Sequence, residues 1–227
     1  MKKILLTLIV MCSPLAIWRG VGGKATMYAQ TAVLDKAAAQ LKKDGGVSVE
    51  YRIGANGANG TNMANGTNGA NRANGKLDVM GKKFHSDMEG IETWYDGKQM
   101  WTYYKQNSEV YLSEPTKAEL AKVNPYYFLD IYKREFKGSS KGVQREFKGS
   151  PVIEVTMTAT EKTNSIQKAV VRVGKADNRI KYIKVTGKNG NVIEVTVTSY
   201  KVKQKFTDAT FRFDKAKHPG VDLIDMR

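Results

Sequence analysis

Two histidines, His85 and His218, and a single cysteine, Cys12, are all that the 227-residue chain offers of its most reactive side-chain types. Chemistry at a histidine or a metal needs partners at set spacings, and no HxH, HExxH or cysteine pair is present. No serine sits in a GxSxG turn, and no GxGxxG or P-loop appears, because the Asn-Gly-rich run lacks both the phosphate lysine and the strand-to-helix frame. Glu154 and Glu194 fall at alternating positions of strand-like segments and read as solvated faces. His85 and His218 read as ordinary surface or structural residues. No enzyme, metal or cofactor is therefore expected. The distinctive chemistry is aromatic: Trp94, Trp101, Tyr104, Tyr127 and Phe128 belong to a crowd of rings between residues 94 and 132. Any one of them is explained by core packing, but together, at the junction of strands and helices, they suit the lining of an apolar cavity.

The elements that must position these rings begin after a leader. Lys2 and Lys3 precede an apolar run, 4–11, too short to span a bilayer, and Ala29 precedes Gln30, so residues 1–29 are expected to be a signal peptide and 30–227 one domain. Lipidation at Cys12 is the competing reading, with Met11 a poor fit before such a cysteine. Cleavage after Ala29 leaves no cysteine in the mature chain. Residues 31–44 put Val33, Leu34, Ala37, Ala38 and Leu41 on one helical face, and Gly45-Gly46 ends the helix.

Val47, Val49, Tyr51 and Ile53 then alternate with mostly polar neighbours as in a half-buried strand. Residues 54–75 form a Gly/Asn/Ala low-complexity insertion, read as a mobile loop between strands. Strands are expected at 76–80, 83–88, 91–95 and 99–105, the last two joined by an Asp96-Gly97 turn. Two proline-led helices are expected at 115–122 and 125–133. Strands return at 152–160, 166–174, 180–187 and 192–203. The segment REFKGS occurs at 134–139 and again at 145–150, as two arms of one hairpin or a local duplication. Hairpin after hairpin without βαβ spacing makes a mainly β, antiparallel sheet of about ten to eleven strands, near the size at which sheets curl or close.

The chain carries a formal charge of +15, which becomes about +11 once the leader is removed. That balance favours anionic partners without choosing among them. Export argues against nucleic acid as the partner, although basic, aromatic-rich β-barrels do bind single strands. A surface-anchored structural β protein follows only if Cys12 is lipidated.

The stretch from Asp96 to Tyr104, DGKQMWTYY, resembles the "DGxxLWxY" core of the LolA family of periplasmic lipoprotein carriers. Glu109-Val110 and Asn124-Pro125-Tyr126-Tyr127-Phe128-Leu129 resemble the valine-containing strand and proline-led helix that follow it there. Phe211-Arg212-Phe213 and Pro219-Gly220-Val221 are similar to its closing "FxF" strand and Pro-Gly-Val-type end. The resemblance implies an incomplete, unclosed antiparallel β-barrel with helices over its mouth. It implies a monomeric periplasmic carrier that takes lipoprotein acyl chains from an inner-membrane export complex to an outer-membrane acceptor. The residues expected at cavity and lid are Leu34, Leu41, Phe84, Trp94, Met100, Trp101, Tyr104, Tyr127, Phe128 and Leu129. One departure stands out: Met80 occupies the place of the family's gating arginine, with Lys82 and Lys83 as imperfect substitutes that lack its planar fork.

Overall fold

The computed structural model describes residues 24–56, 72–116, 119–120, 132–138 and 142–227. One helix, α1 (Lys24–Asp44), precedes β1 (Val47–Asn56), β2 (Arg72–Met80), β3 (Lys83–Met88), β4 (Ile91–Tyr95), β5 (Met100–Tyr104) and β6 (Glu109–Ser113). Then follow β7 (Phe136–Gly138), β8 (Val143–Phe147), β9 (Ser150–Ala159), β10 (Ile166–Gly174), β11 (Ile180–Gly187), β12 (Val192–Lys201) and β13 (Asp222–Asp225). All belong to one unclosed 13-stranded sheet, in the order β13-β6-β5-β4-β3-β2-β1-β12-β11-β10-β9-β7, with β8 also on β9.

The β-rich, unclosed architecture matches the sequence reading, and the surplus over ten to eleven strands comes from short edge pieces. β7 and β8 lie end to end along one edge of β9, Phe136 opposite Ala159 and Phe147 opposite Ser150. The two REFKGS copies are thus not arms of one hairpin with each other. The second copy forms the β8–β9 hairpin through Lys148-Gly149, and the first pairs further along the same strand. The insertion is shorter than 54–75: β1 runs on to Asn56 and β2 starts at Arg72, with Gly54 opposite Arg72.

The closing segment also differs from expectation. Phe211 ends a 3-10 turn, Asp208–Phe211, rather than lying in a strand. The chain from β12 crosses one face of the sheet, with that turn against β3 and β4, and only then adds β13 parallel to β6. A hairpin would make an antiparallel pair, so the parallel one reports this crossover.

α1 is longer than the expected 31–44 and stops at Gly45, whose φ of +75° is left-handed and suits a residue without a Cβ. Of the two expected helices, residues 119–120 and 132–135 are described and helical. The first starts at a reciprocal cap. The Thr116 backbone N–H donates to Glu119 Oε2 (2.7 Å), and the Glu119 N–H donates to Thr116 Oγ1 (3.3 Å). Among the described residues no helix is long and apolar enough to cross a membrane.

Candidate functional site

Strand alternation sends successive residues to opposite faces, and register carries each face across the sheet. On one face Val171 of β10 lies opposite Ile183 of β11, Ile183 opposite Val195 of β12, and Val195 opposite Ile53 of β1. The same face continues from Val49 to Leu77 of β2 and from Val79 through Phe84, Tyr95 and Met100 on β3, β4 and β5. We refer to it as the helix face, because α1 packs on it.

Among the described residues the helix face is sealed in two places. Leu34 and Ala37 of α1 are buried with Tyr132, Phe136, Val155, Met157, Ala169 and Val171. Some strands away, Leu120 is buried with Leu77, Val79, Phe84 and Tyr95. Residues 120 and 132, the described ends of the segment between β6 and β7, are therefore anchored in different clusters. Between the clusters lies an aliphatic stretch, which we refer to as the trough. Ile53 on β1 and Val195 and Val197 on β12 form it, bordered by Tyr51, which packs against the Leu120 cluster, and by Ile183 and Val185 on β11, which pack against the α1 cluster; all are only half-buried, although they lie on interior strands. A contiguous group of apolar side chains at the centre of a large sheet that stops short of burial is a candidate site for an apolar ligand.

The trough has one polar mark. The Tyr51 hydroxyl lies 3.4 Å from Ser86 Oγ, and burial raises the phenol's pKa, with Asp87 adding to the effect and Ser86 opposing it. Gly75 makes room for this ring, since a Cβ there would run into it.

Charged contacts hold α1 against the sheet. Arg179 donates from Nε and an Nη to the two oxygens of Asp44, both at 2.9 Å, and Gln40 Nε2 donates to Asp44 at 2.7 Å. Arg179 also lies over the Tyr200 ring at 4.9 Å. Asp44 is 5% exposed, and the Arg179 hydrogen bonds hold its carboxyl below the usual range against the cost of burial. Nearer the middle of α1, Tyr132 donates to Asp35 (3.0 Å), and Lys133 pairs with the same carboxylate (2.6 Å). Near Met80, the two lysines of the β2–β3 turn region take no part in these ties. Lys83 is taken by Asp208 of the crossing segment, at 2.6 Å, and Lys82 is exposed.

The structure divides the expected site residues. Leu34 is buried on the sheet-facing side of α1, with Leu41 half-buried beside the same cluster. Phe84 is fully buried in the Leu120 cluster, against which Met100 packs, and Tyr104 lies 38% exposed further along that face. Trp94 and Trp101 are not brought together with them. Each immediately adjoins a helix-face residue, so alternation turns both to the other face. There they are buried with Val110, Leu112 and Val221. Trp94 meets Phe213 and His218 edge-on, at 5.4 and 5.6 Å, and stacks on His85 at 5.2 Å. We refer to this as the tail face, because the segment after β12 covers it. Tyr127, Phe128 and Leu129 lie outside the described residues.

The trough residues Ile53, Ile183 and Val195 are absent from the sequence-derived set. Their signal was the V-x-V-x-Y-x-I alternation of β1 and its counterparts in β11 and β12, which marks two faces without saying which one stays open.

His85 contacts Glu92 Oε1 through Nε2 at 2.8 Å, a structural pairing beneath the crossing segment. Among the described residues no three His, Cys, Asp or Glu side chains are grouped to hold a metal ion.

Residues 25–191 match the family model described as outer membrane lipoprotein carrier protein LolA. Comparison of the sequence with curated proteins gives no match. Among solved structures, an uncharacterized conserved protein from Thermus thermophilus superposes with a TM-score of 0.57 at 10% identity, over 86% of this chain and 98% of that one. A putative outer membrane lipoprotein-sorting protein domain from Vibrio parahaemolyticus gives a TM-score of 0.45 at 11% identity, over 82% and 97%. A LolA superfamily protein from Nitrosomonas europaea gives 0.41 at 11% identity, over 82% and 98%. At such identity the first of these likenesses is one of fold.

Proposed function

Since the chain belongs to the family of the outer membrane lipoprotein carrier protein LolA, we propose that it shields lipoprotein acyl chains in the helix-face trough and carries them across the periplasm from inner to outer membrane. The observation that carries this reading is the half-buried aliphatic row Ile53, Val195 and Ile183 on interior strands, which runs from the border of the α1 cluster at Ile183 toward the Leu120 cluster. Burying a methylene is worth roughly 0.8 kcal/mol, so an acyl chain of about fifteen methylenes costs on the order of 10 kcal/mol to expose. A carrier must cover that surface yet release it, which favours a pocket less tightly packed than a core. In this reading Leu34, Leu41, Phe84, Met100 and Tyr104 flank the trough, while Trp94 and Trp101 keep the opposite face closed. Residues 1–29 act as the export signal, the carrier works as a monomer, and its partners are an inner-membrane export complex and an outer-membrane acceptor.

The test is lipid extraction and mass spectrometry of the protein purified from the periplasm, together with displacement of a fluorescent fatty acid. Copurifying triacylated peptides or lipoproteins support the carrier role. Another copurifying amphiphile keeps the trough and changes the cargo. Neither copurifying lipid nor probe binding overturns the reading. N-terminal sequencing is expected to return Gln30, and a lipidated Cys12 would rule out a protein that moves between membranes.

A further inference from the structure

All the antiparallel strands end at one or other end of the sheet, so topology sorts their turns into two sets. One set holds the α1–β1, β2–β3, β4–β5, β8–β9 and β10–β11 turns and the residues after β12. Backbone and side-chain bonds knit the α1–β1, β8–β9 and β10–β11 turns and the residues after β12 into a continuous rim. Lys203 N–H donates to Asp44 O (3.0 Å), Gln204 N–H to Gly46 O (2.9 Å), and Lys175 N–H to Pro151 O (3.0 Å), while the Arg179–Asp44 pair joins α1 to the β10–β11 turn.

This rim is basic. Lys43, Lys148, Lys175, Lys203 and Lys205 are all exposed, and none of them pairs with a carboxylate among the described residues. Of the acids at the rim, Asp44 is neutralised by Arg179 and Asp177 by Lys181 at 2.6 Å, and Glu146 beside the β8–β9 turn is exposed. Between α1 and the β10–β11 turn opens a groove of about 460 Å³ lined by Lys36, Ala39, Gln40, Lys43, Lys175 and Asn178. Its lining holds three lysines and two amide residues and no carboxylate; the Lys175 ammonium donates to Gln144 Oε1 (3.1 Å) and the Gln40 amide to Asp44. At the opposite end of the sheet the turns mix Glu89 and Glu161 with Lys162 and Lys188.

We propose that this rim docks the protein on an anionic phospholipid surface, with the Lys36–Lys43–Lys175 groove receiving a headgroup phosphate. Mobile lysine point charges suit a fluid layer of phosphates, whereas a protein partner is usually gripped by aromatic or arginine anchors. The candidates for such anchors near the rim are engaged within the protein: Arg179 is turned inward onto Asp44, Arg145 pairs with Glu154, and the half-buried rings of Phe147 and Phe206 pack on Tyr182 and Phe211. The exposed large apolar residues, such as Val143, Leu223 and Met226, lie on β8 and at the β13 edge. The docking rests on the carrier reading only for its purpose, which is to bring one end of the trough to the bilayer from which acyl chains enter or leave.

Flotation of the purified exported protein with vesicles tests it. Strong binding is expected to vesicles of phosphatidylglycerol mixed equally with phosphatidylcholine. Little is expected to pure phosphatidylcholine, and release is expected in high salt. Lys43→Gln with Lys175→Gln should weaken the binding about twenty-five-fold, roughly fivefold per lysine. Lys162→Gln with Lys188→Gln, the same charge change at the far end, should leave it nearly unchanged. Equal loss in both double variants would reduce the effect to net charge and overturn the proposal, as would equal binding to both vesicle types. Binding to polyglutamate without binding to vesicles would overturn it in favour of an acidic protein. Fatty-acid displacement in the same samples keeps the two readings apart. Lost docking with intact probe binding sinks only the rim, and lost probe binding with intact docking sinks only the trough.

Discussion

The two faces of the sheet are built from neighbouring residues of the same strands, yet they end in different states. On the tail face Trp94 and Trp101 are 5% and 8% exposed, closed over by the chain's own last residues. On the helix face Tyr51, Ile53, Ile183 and Val195 are comparably apolar and lie on strands nearer the middle of the sheet, but they stay half-buried. The difference is in the cover, not in the strands. The tail face meets one continuous segment that supplies Phe213, His218 and Val221. Among the described residues, the helix face meets α1 and Leu120 at separate places, and the half-buried stretch between them is the trough. Aromatic density alone therefore points to the closed face, and incomplete burial of aliphatic residues points to the open one.

The largest expected effect falls on the closed face. Trp94→Ala removes a ring wedged among His85, Phe213 and His218 and should cost about 3–5 kcal/mol in denaturant melts, with fatty-acid affinity little changed in the protein that remains folded. A selective loss of binding with stability intact would reverse the assignment of the two faces.

Loosening α1 should come next. Asp44→Asn breaks the two-pronged pair with Arg179 and should cost about 2–3 kcal/mol near neutral pH. Because the folded carboxyl is held below its ordinary value of 3.8, its contribution is complete above that value and disappears as pH falls through the lower folded one. Melts of the parent and the Asn variant should therefore converge on acidification below pH 3.8. A gap that stays constant into strong acid would show that the carboxylate's charge is not what holds α1.

Val195→Asp, in the trough, should cost only about 1 kcal/mol of stability because water already reaches the site. It should nevertheless weaken fatty-acid binding roughly tenfold or more, which corresponds to about 1.4 kcal/mol. Unfolding without a separate binding defect would make the trough ordinary core. The smallest effect is expected on deleting residues 57–71, which join β1 to β2. Loop length enters closure entropy only logarithmically, so the melting curve should move by about 0.5 kcal/mol or less and probe binding should persist. A large loss in either would make the insertion part of the site.

Much of this architecture is local and was legible in the residues. The 3.6-residue spacing of Leu34, Ala37 and Leu41 marks α1's buried face, and Gly45 marks its end. Asp96-Gly97 marks the β4–β5 turn, where Asp96 Oδ1 accepts from the Lys98 and Gln99 backbone at 3.0 and 2.9 Å. The same carboxylate has a second task that no local pattern shows, pairing through Oδ2 with Arg212 of the crossing segment at 3.2 Å. Alternation in β1, β11 and β12 likewise announces two faces, because successive side chains must point opposite ways. Which face is sealed depends on segments distant in the chain: residues 208–221 over Trp94 and Trp101, Leu120 over Phe84, and α1 over Val171. Those contacts have no period in the sequence. They arise only when the strands have paired and the covering segments compete for apolar surface. Hence the sequence by itself determined α1, most of the longer strands and the absence of recognised catalytic motifs, while tertiary packing decided that the tryptophans close one side and that, among the described residues, the aliphatic row on the other is left half-buried.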